Sequence, residues 1–146
     1  MSASPADQFD QHYGPNFTYA EFCCKCDRCQ IERETGTDEG EWMHTPEFRA
    51  FMFKLIKMRN LLGWPFNINS GYRCPIYNDS LYEGDGTHLE GPHTIGAADV
   101  GCAFERAYAL VDLATREQMG VGPTQHGKVA DRFVHVDNQG PRLWTY

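Results

Sequence analysis

The sequence has no apolar run approaching the ~18 residues that a bilayer-spanning helix requires. Its first residues, MSASPADQFDQ, lack the basic-then-apolar order of a secretory leader. Synthesis and folding in a cytoplasm are therefore expected, with no membrane partner. Positive charge is scarce: 13 Lys and Arg against 20 Asp and Glu give a formal net charge of −7. That balance argues against a nucleic-acid footprint and against adhesion to an anionic membrane. Internal repeats and low-complexity tracts are also missing. What is present is globular in character, with 41% hydrophobic and 13% aromatic residues in 146. Such a chain suits one domain with a real core that needs no disulfides. In a cytoplasm the six cysteines are more readily thiols or metal ligands than a disulfide framework.

Residues 1–16 read as a loose arm and 17–146 as a single domain. Thr18 and Glu21 form a capping-box pattern at the start of a short helix in NFTYAEF. Cys23–Gly40, rich in cysteine, charge and glycine, reads as a loop. The clearest helix is Pro46–Leu62, with Thr45 as N-cap, Pro46 at the first position and Gly63 as the stop. Phe48, Phe51, Met52, Leu55 and Leu62 recur at helical spacing, which marks a core face. PFNINS turns Phe66 and Ile68 inward as a short strand ending at Ser70-Gly71. Cys74–Pro92 reads as a long Gly- and Asp-rich loop of the kind that frames a site. ADVG reads as a second strand. Phe104–Met119 reads as a helix with Ala107, Tyr108, Val111 and Ala114 on one face and Gly120 closing it. RFVHVD reads as a third strand. The expected class is α+β, a small antiparallel sheet with flanking helices.

The polar residues of GPHTIGAADV (91–100) and RFVHVD (132–137) stand out. A strand alternates its faces, so Phe133, His135 and Asp137 share one side and Val134 and Val136 the other. Gly96 and two alanines after His93 allow a tight turn that returns Asp99 toward it. Asp99 opens an apolar strand, where an unpaired carboxylate is costly. Two imidazoles and one carboxylate, with a fourth position left for water, form a catalytic zinc arrangement.

SGYRCPIYN (70–78), GPHTIGAADV and RFVHVD, with Trp144 near the end, resemble the zinc D-alanyl-D-alanine carboxypeptidase and L-alanyl-D-glutamate endopeptidase family. Many bacteriophage endolysins belong to that family, and it shares its fold with the hedgehog signalling domain. The resemblance runs from about Phe17 to Tyr146. It implies zinc ligation by His93, Asp99 and His135, and substrate binding by Arg73 with Ser70 and Tyr72 lining the same pocket. The chain departs from the family pattern in three places. The His93–Asp99 interval is one residue shorter than usual, a difference that the loop before the strand can absorb. Gly91 stands in place of a common serine. Arg132 occupies the position of a catalytic carboxylate, so the base lies elsewhere, among Asp131, Asp137 and His126.

On a regular strand Asp137 lies ~7 Å from His135 on its face, and Asp131 ~13 Å away. Asp137 is therefore the assigned base, the alternative being a hydrogen-bonding partner behind a metal ligand. His126, in PTQHGK, sits in a loop able to fold over the cleft as base or oxyanion ligand.

Cys23, Cys24, Cys26 and Cys29 form a cluster with one Cys-x-x-Cys spacing. A second metal on Cys24, Cys26 and Cys29 is one reading, with Cys74, Cys102, His44 or His126 as added ligands. Free thiols and disulfides are the others. The function expected is a monomeric zinc peptidase cutting stem peptides of bacterial peptidoglycan, released to the cell wall by phage lysis. The competing readings are a non-catalytic zinc module, such as a phage tail component, and a cytoplasmic D-Ala-D-Ala dipeptidase.

Overall fold

The computed structural model describes residues 3–145. Residues 5–13 are not a loose arm but a helix, α1 (Pro5–Tyr13). Ser4 and Asp7 cap each other's backbone, Pro5 occupies the first position, and Phe9 and Tyr13 bury their rings. Ala6, Phe9 and Tyr13 share one face at i, i+3 and i+7, and with the Ser4–Asp7 capping box they are the signal that the loose-arm reading overlooked. The Tyr13 hydroxyl donates to the Met43 carbonyl at 2.6 Å, tying α1 to the core.

The short helix α2 (Tyr19–Phe22) carries the expected Thr18–Glu21 capping box. The next stretch, read as loop, contains α3 (Asp27–Glu34), capped by the Cys26 side chain. No α3 residue is buried, so the helix has no apolar stripe to reveal it. A 3₁₀ turn (Glu41–His44) leads into α4 (Pro46–Leu62), whose Thr45 cap and left-handed Gly63 terminus are as the sequence reads. Phe48, Phe51, Met52, Leu55 and Met58 of α4 form the middle of the core.

Five strands follow: β1 (Asn67–Ser70), β2 (Ala97–Gly101), β3 (Gly120–Thr124), β4 (Phe133–Asp137) and β5 (Arg142–Leu143). They lie in the order β1-β2-β4-β3-β5, antiparallel except for the β3–β5 pair. The segment 74–92 is not all loop, since Pro75 opens α5 (Pro75–Ser80) and Pro92 opens the one-turn α6 (Pro92–Ile95). The buried Asp79 carboxylate organises the rest by accepting from the amides of Gly86 at 2.9 Å and His88 at 2.8 Å.

The last helix, α7 (Phe104–Arg116), is shorter than expected and buries Ala107, Leu110 and Ala114. Tyr108, assigned inward from the sequence, is 78% exposed. It sits one residue, about 100°, past Ala107 and leaves the buried stripe. Gly120 does not close α7; it opens β3, which the sequence reading missed. GVGPT hides a strand behind two glycines and a proline. Pro123 is tolerated there because β5 pairs only with Gly120 and Val121.

The pleat divides the sheet into two surfaces. Ile68, Ala98, Val100, Val121, Val134 and Val136 pack into the core with α4 and α7. The opposite surface carries Asp99 directly across from His135, which in turn faces Gly122, while Ser70 pairs with Asp99 from β1.

Candidate active site

Asp99 and His135 form the floor of the site, with Ser70 beside Asp99 on β1 and Gly122 beside His135 on β3, and α6 brings His93 over it. The shortened interval is absorbed between α6 and β2, since His93 Nε2 lies 3.2 Å from Asp99 Oδ1. His135 Nδ1 approaches the same oxygen at 3.0 Å. All three residues are buried.

The hydrogen-bond partners fix the tautomers. His93 Nδ1 sits 2.7 Å from the Gly71 carbonyl, an acceptor, so Nδ1 carries the hydrogen and Nε2 presents a lone pair. His135 has a carboxylate at each nitrogen: Asp99 at Nδ1, and Asp137 Oδ2 at 2.8 Å from Nε2. A neutral imidazole has one N–H; placed on Nε2 it satisfies Asp137 and leaves Nδ1 as an electron-pair donor. Three donors then face one point, which is unfavourable unless a cation lies between them. For zinc–ligand bonds of about 2.0–2.1 Å, tetrahedral donors stand about 3.3 Å apart, close to the separations seen. The donor set fits a metal ion.

The electrostatics agree. Burial pushes the Asp99 carboxyl up, but hydrogen bonds and charge from His135 and His93 outweigh it and hold the group well below the usual carboxylate range. Burial lowers His135, yet the Asp137 and Asp99 carboxylates prevail and raise it. The site attracts positive charge.

Behind His135, Asp137 is wholly buried. It accepts from Arg142 at 2.6 Å through both oxygens and from the Gln139 amide at 3.0 Å. This corrects the assignment of Asp137 as the base that faces the attacking water: its oxygens are taken up by His135, Arg142 and the backbone. Burial pushes the Asp137 carboxyl up, and the His135 and Gln139 hydrogen bonds bring it below its ordinary value.

A cleft of about 430 Å³ opens over the trio, lined in part by Arg73, Asn78, Tyr82, Phe133, Arg142 and Trp144. Arg73 Nη2 stands 3.5 Å from Asp99 Oδ2, and its Nε donates to Ser70 Oγ at 3.2 Å. Ser70 thus holds Arg73 and does not itself line the cleft. Tyr72 turns the other way and stacks on Trp42 at 4.7 Å, beside a separate cavity of about 520 Å³ that contains none of the trio. His126 is exposed in the β3–β4 loop, away from the cleft lining, and Asp131 is exposed on a 3₁₀ turn (Val129–Asp131). Arg132 reaches the Gly127 carbonyl at 3.1 Å.

The sequence reading missed Arg142. Its guanidinium lies 5.2 Å from the Trp144 ring centre, over the β3 glycines. A Cβ on Gly120 would come within 2.5 Å of Asp137, and one on Gly122 within 2.5 Å of Trp144. The usable signal was the period of two in Arg142-Leu143-Trp144, which puts Arg142 and Trp144 on one side.

Buried imidazoles and a carboxylate beneath an open cleft are the donor set of a metallohydrolase site. The profile of the Peptidase M15 family matches residues 15–137, and the chain belongs to that family of metallopeptidases. Membership points to zinc-peptidase action on peptidoglycan-type substrates. The match ends at Asp137, before Arg142 and Trp144. No curated protein matches the chain significantly. Among the described residues no helix is long and apolar enough to cross a membrane.

Proposed function

We propose that this chain hydrolyses stem peptides of bacterial peptidoglycan as a D-alanyl-D-alanine carboxypeptidase or L-alanyl-D-glutamate endopeptidase, with zinc held by His93, Asp99 and His135, in the setting of phage lysis. The observation that carries the reading is the convergence of three electron-pair donors beneath a cleft with two guanidinium groups. Bound zinc would polarise the scissile carbonyl and lower the pKa of its water.

The protein's own residues do the rest. Asp137 takes the Nε2 hydrogen of His135 and keeps Nδ1 free for the metal. The Gly71 carbonyl does the same for His93 through Nδ1. Arg73, steadied by Ser70, offers a planar fork to a substrate carboxylate or to the oxyanion. Arg142 and Trp144 form the opposite wall. The chain's net charge is −7, so two arginines in one cleft are a local exception. They suit a stem peptide, which carries free carboxylates beside its amide bonds.

Digestion of purified peptidoglycan, with fragments read by mass spectrometry, tests the proposal. New peptide termini are expected with wild type, absent after chelation and restored by zinc. Turnover confined to free D-Ala-D-Ala would favour the cytoplasmic dipeptidase. Zinc retained with no cleavage of polymer or dipeptide would favour a non-catalytic module and overturn the proposal.

A further inference from the structure

Six cysteines are present in the sequence, and four of them converge. Cys24 follows α2, Cys26 caps α3, Cys29 lies in the first turn of α3, and Cys74 caps α5 from far along the chain. Their four sulfurs lie within 4.8 Å of one another. Cys26 Sγ and Cys74 Sγ are 3.8 Å apart, with no disulfide among the described cysteines. For zinc–sulfur bonds of about 2.3 Å, the edge of an S₄ tetrahedron is about 3.8 Å. Cys23 and Cys102 stand outside the group, donating to the carbonyls of Ala20 and Val100.

We propose that Cys24, Cys26, Cys29 and Cys74 bind a structural zinc ion, distinct from the metal of the cleft. The closed set of four soft donors leaves no position for water, as a structural site requires. Sulfurs about one tetrahedron edge apart hold a single ion, not a cluster. The surroundings suit the excess negative charge of four thiolates around one divalent cation. Arg28 lies against Cys74, Arg33 donates to the Cys24 carbonyl at 2.7 Å, and the Cys29 amide donates to Cys26 Sγ at 3.4 Å.

The placement gives this ion a task. Ser70–Cys74 is a strap between the two metal sites. Its Gly71 carbonyl orients His93, the Tyr72 amide donates to Phe22 at 2.7 Å, and the Arg73 amide donates to the His93 carbonyl at 3.0 Å. Cys74 ends the strap, one residue after the arginine that enters the cleft. Binding Cys74 to the α2–α3 segment fixes the backbone from which Arg73 projects.

The test is metal content and cobalt spectroscopy on the full-length protein. Wild type purified under reducing conditions is expected to carry two zinc ions per chain. Cobalt in their place should give intense thiolate-to-cobalt charge-transfer absorption, which a His₂Asp site cannot produce. His135→Ala should lose one metal and keep that absorption. Cys26→Ser and Cys74→Ser should lose the absorption and keep the other metal, while Cys102→Ser changes neither. If the cysteine variants do not fold, the wild-type spectrum alone decides. One metal per chain with no thiolate–cobalt band would overturn the proposal. So would a reducible mass deficit of two hydrogens mapped to Cys26 and Cys74. Neither readout depends on catalysis, so failure here leaves the peptidase reading standing.

Discussion

The two surfaces of the sheet are built from alternate residues of the same strands and follow opposite rules. On one, Val134 and Val136 are fully buried against α4 and α7, where volume and apolarity are what matter. On the other, His135 and Asp137 are equally buried, yet every polar atom named there has an assigned partner or faces the metal position. Burial alone therefore does not separate core from active site. The separation lies in whether the buried atoms demand a partner, and it predicts that adjacent residues fail in different ways.

The largest effect is expected for His135→Ala. Metal at the cleft site should be lost, and with it several kcal/mol of transition-state stabilisation, about a thousandfold or more in kcat/KM. Elemental analysis alongside peptidoglycan turnover checks this; full activity with one metal fewer would break the comparison. Next, Arg73→Lys keeps the charge but loses the planar fork. A reduction of about 10–100-fold in kcat/KM is expected, the range of a charged hydrogen bond, with metal content unchanged.

Asp137→Asn is expected to weaken metal affinity about 10–100-fold, as loss of a partner behind a ligand does. Its pH dependence sharpens the point. Proton and metal compete for His135, whose pKa the carboxylates raise. Wild-type affinity should hold above that raised pKa and fall as pH drops through it. In the variant the pKa returns toward its ordinary value, so acid release should begin at lower pH, even though affinity at neutral pH is weaker. Metal titrations across pH decide it. The smallest effect is at Val136→Ala, one residue away but on the core surface. About 2 kcal/mol of stability should be lost from buried methyl groups and the space they leave. Metal affinity should be unaffected, as read by denaturant unfolding and metal titration.

The sequence discloses the parts of this molecule that repeat a period or carry a cap. Helix α4 has both and is legible to the residue; β4 alternates so cleanly that its two surfaces follow from five letters. Elements held by something else are hidden. Helix α3 buries nothing, so it has no amphipathic pattern to find; α1 is the exception, legible in its Ser4–Asp7 capping box, in Pro5 and in the spacing of Ala6, Phe9 and Tyr13, though it is only nine residues long. Strand β3 is disguised by glycines whose purpose is the Asp137, Arg142 and Trp144 groups pressed against them. In the site, His93, Asp99 and His135 are visible because imidazoles and a carboxylate are rare on apolar elements. The role of Asp137 is not, because strand alternation gives the side of the sheet but not which imidazole nitrogen is met. Tyr72 shows the same limit at the end of β1, where the chain leaves the strand and alternation no longer applies.

The two-residue strand β5 has a practical consequence. By running alongside β3 it delivers Trp144 to the wall of the cleft. An affinity tag or second module joined to this end of the chain follows closely on a ring that lines the cleft, where it would crowd a polymeric substrate of the kind proposed. Ala3, exposed just ahead of the Ser4 cap of α1, marks a safer side for attachment. A handle placed there should leave turnover on intact cell walls unchanged, whereas the same handle at the other terminus should slow it and spare small peptides.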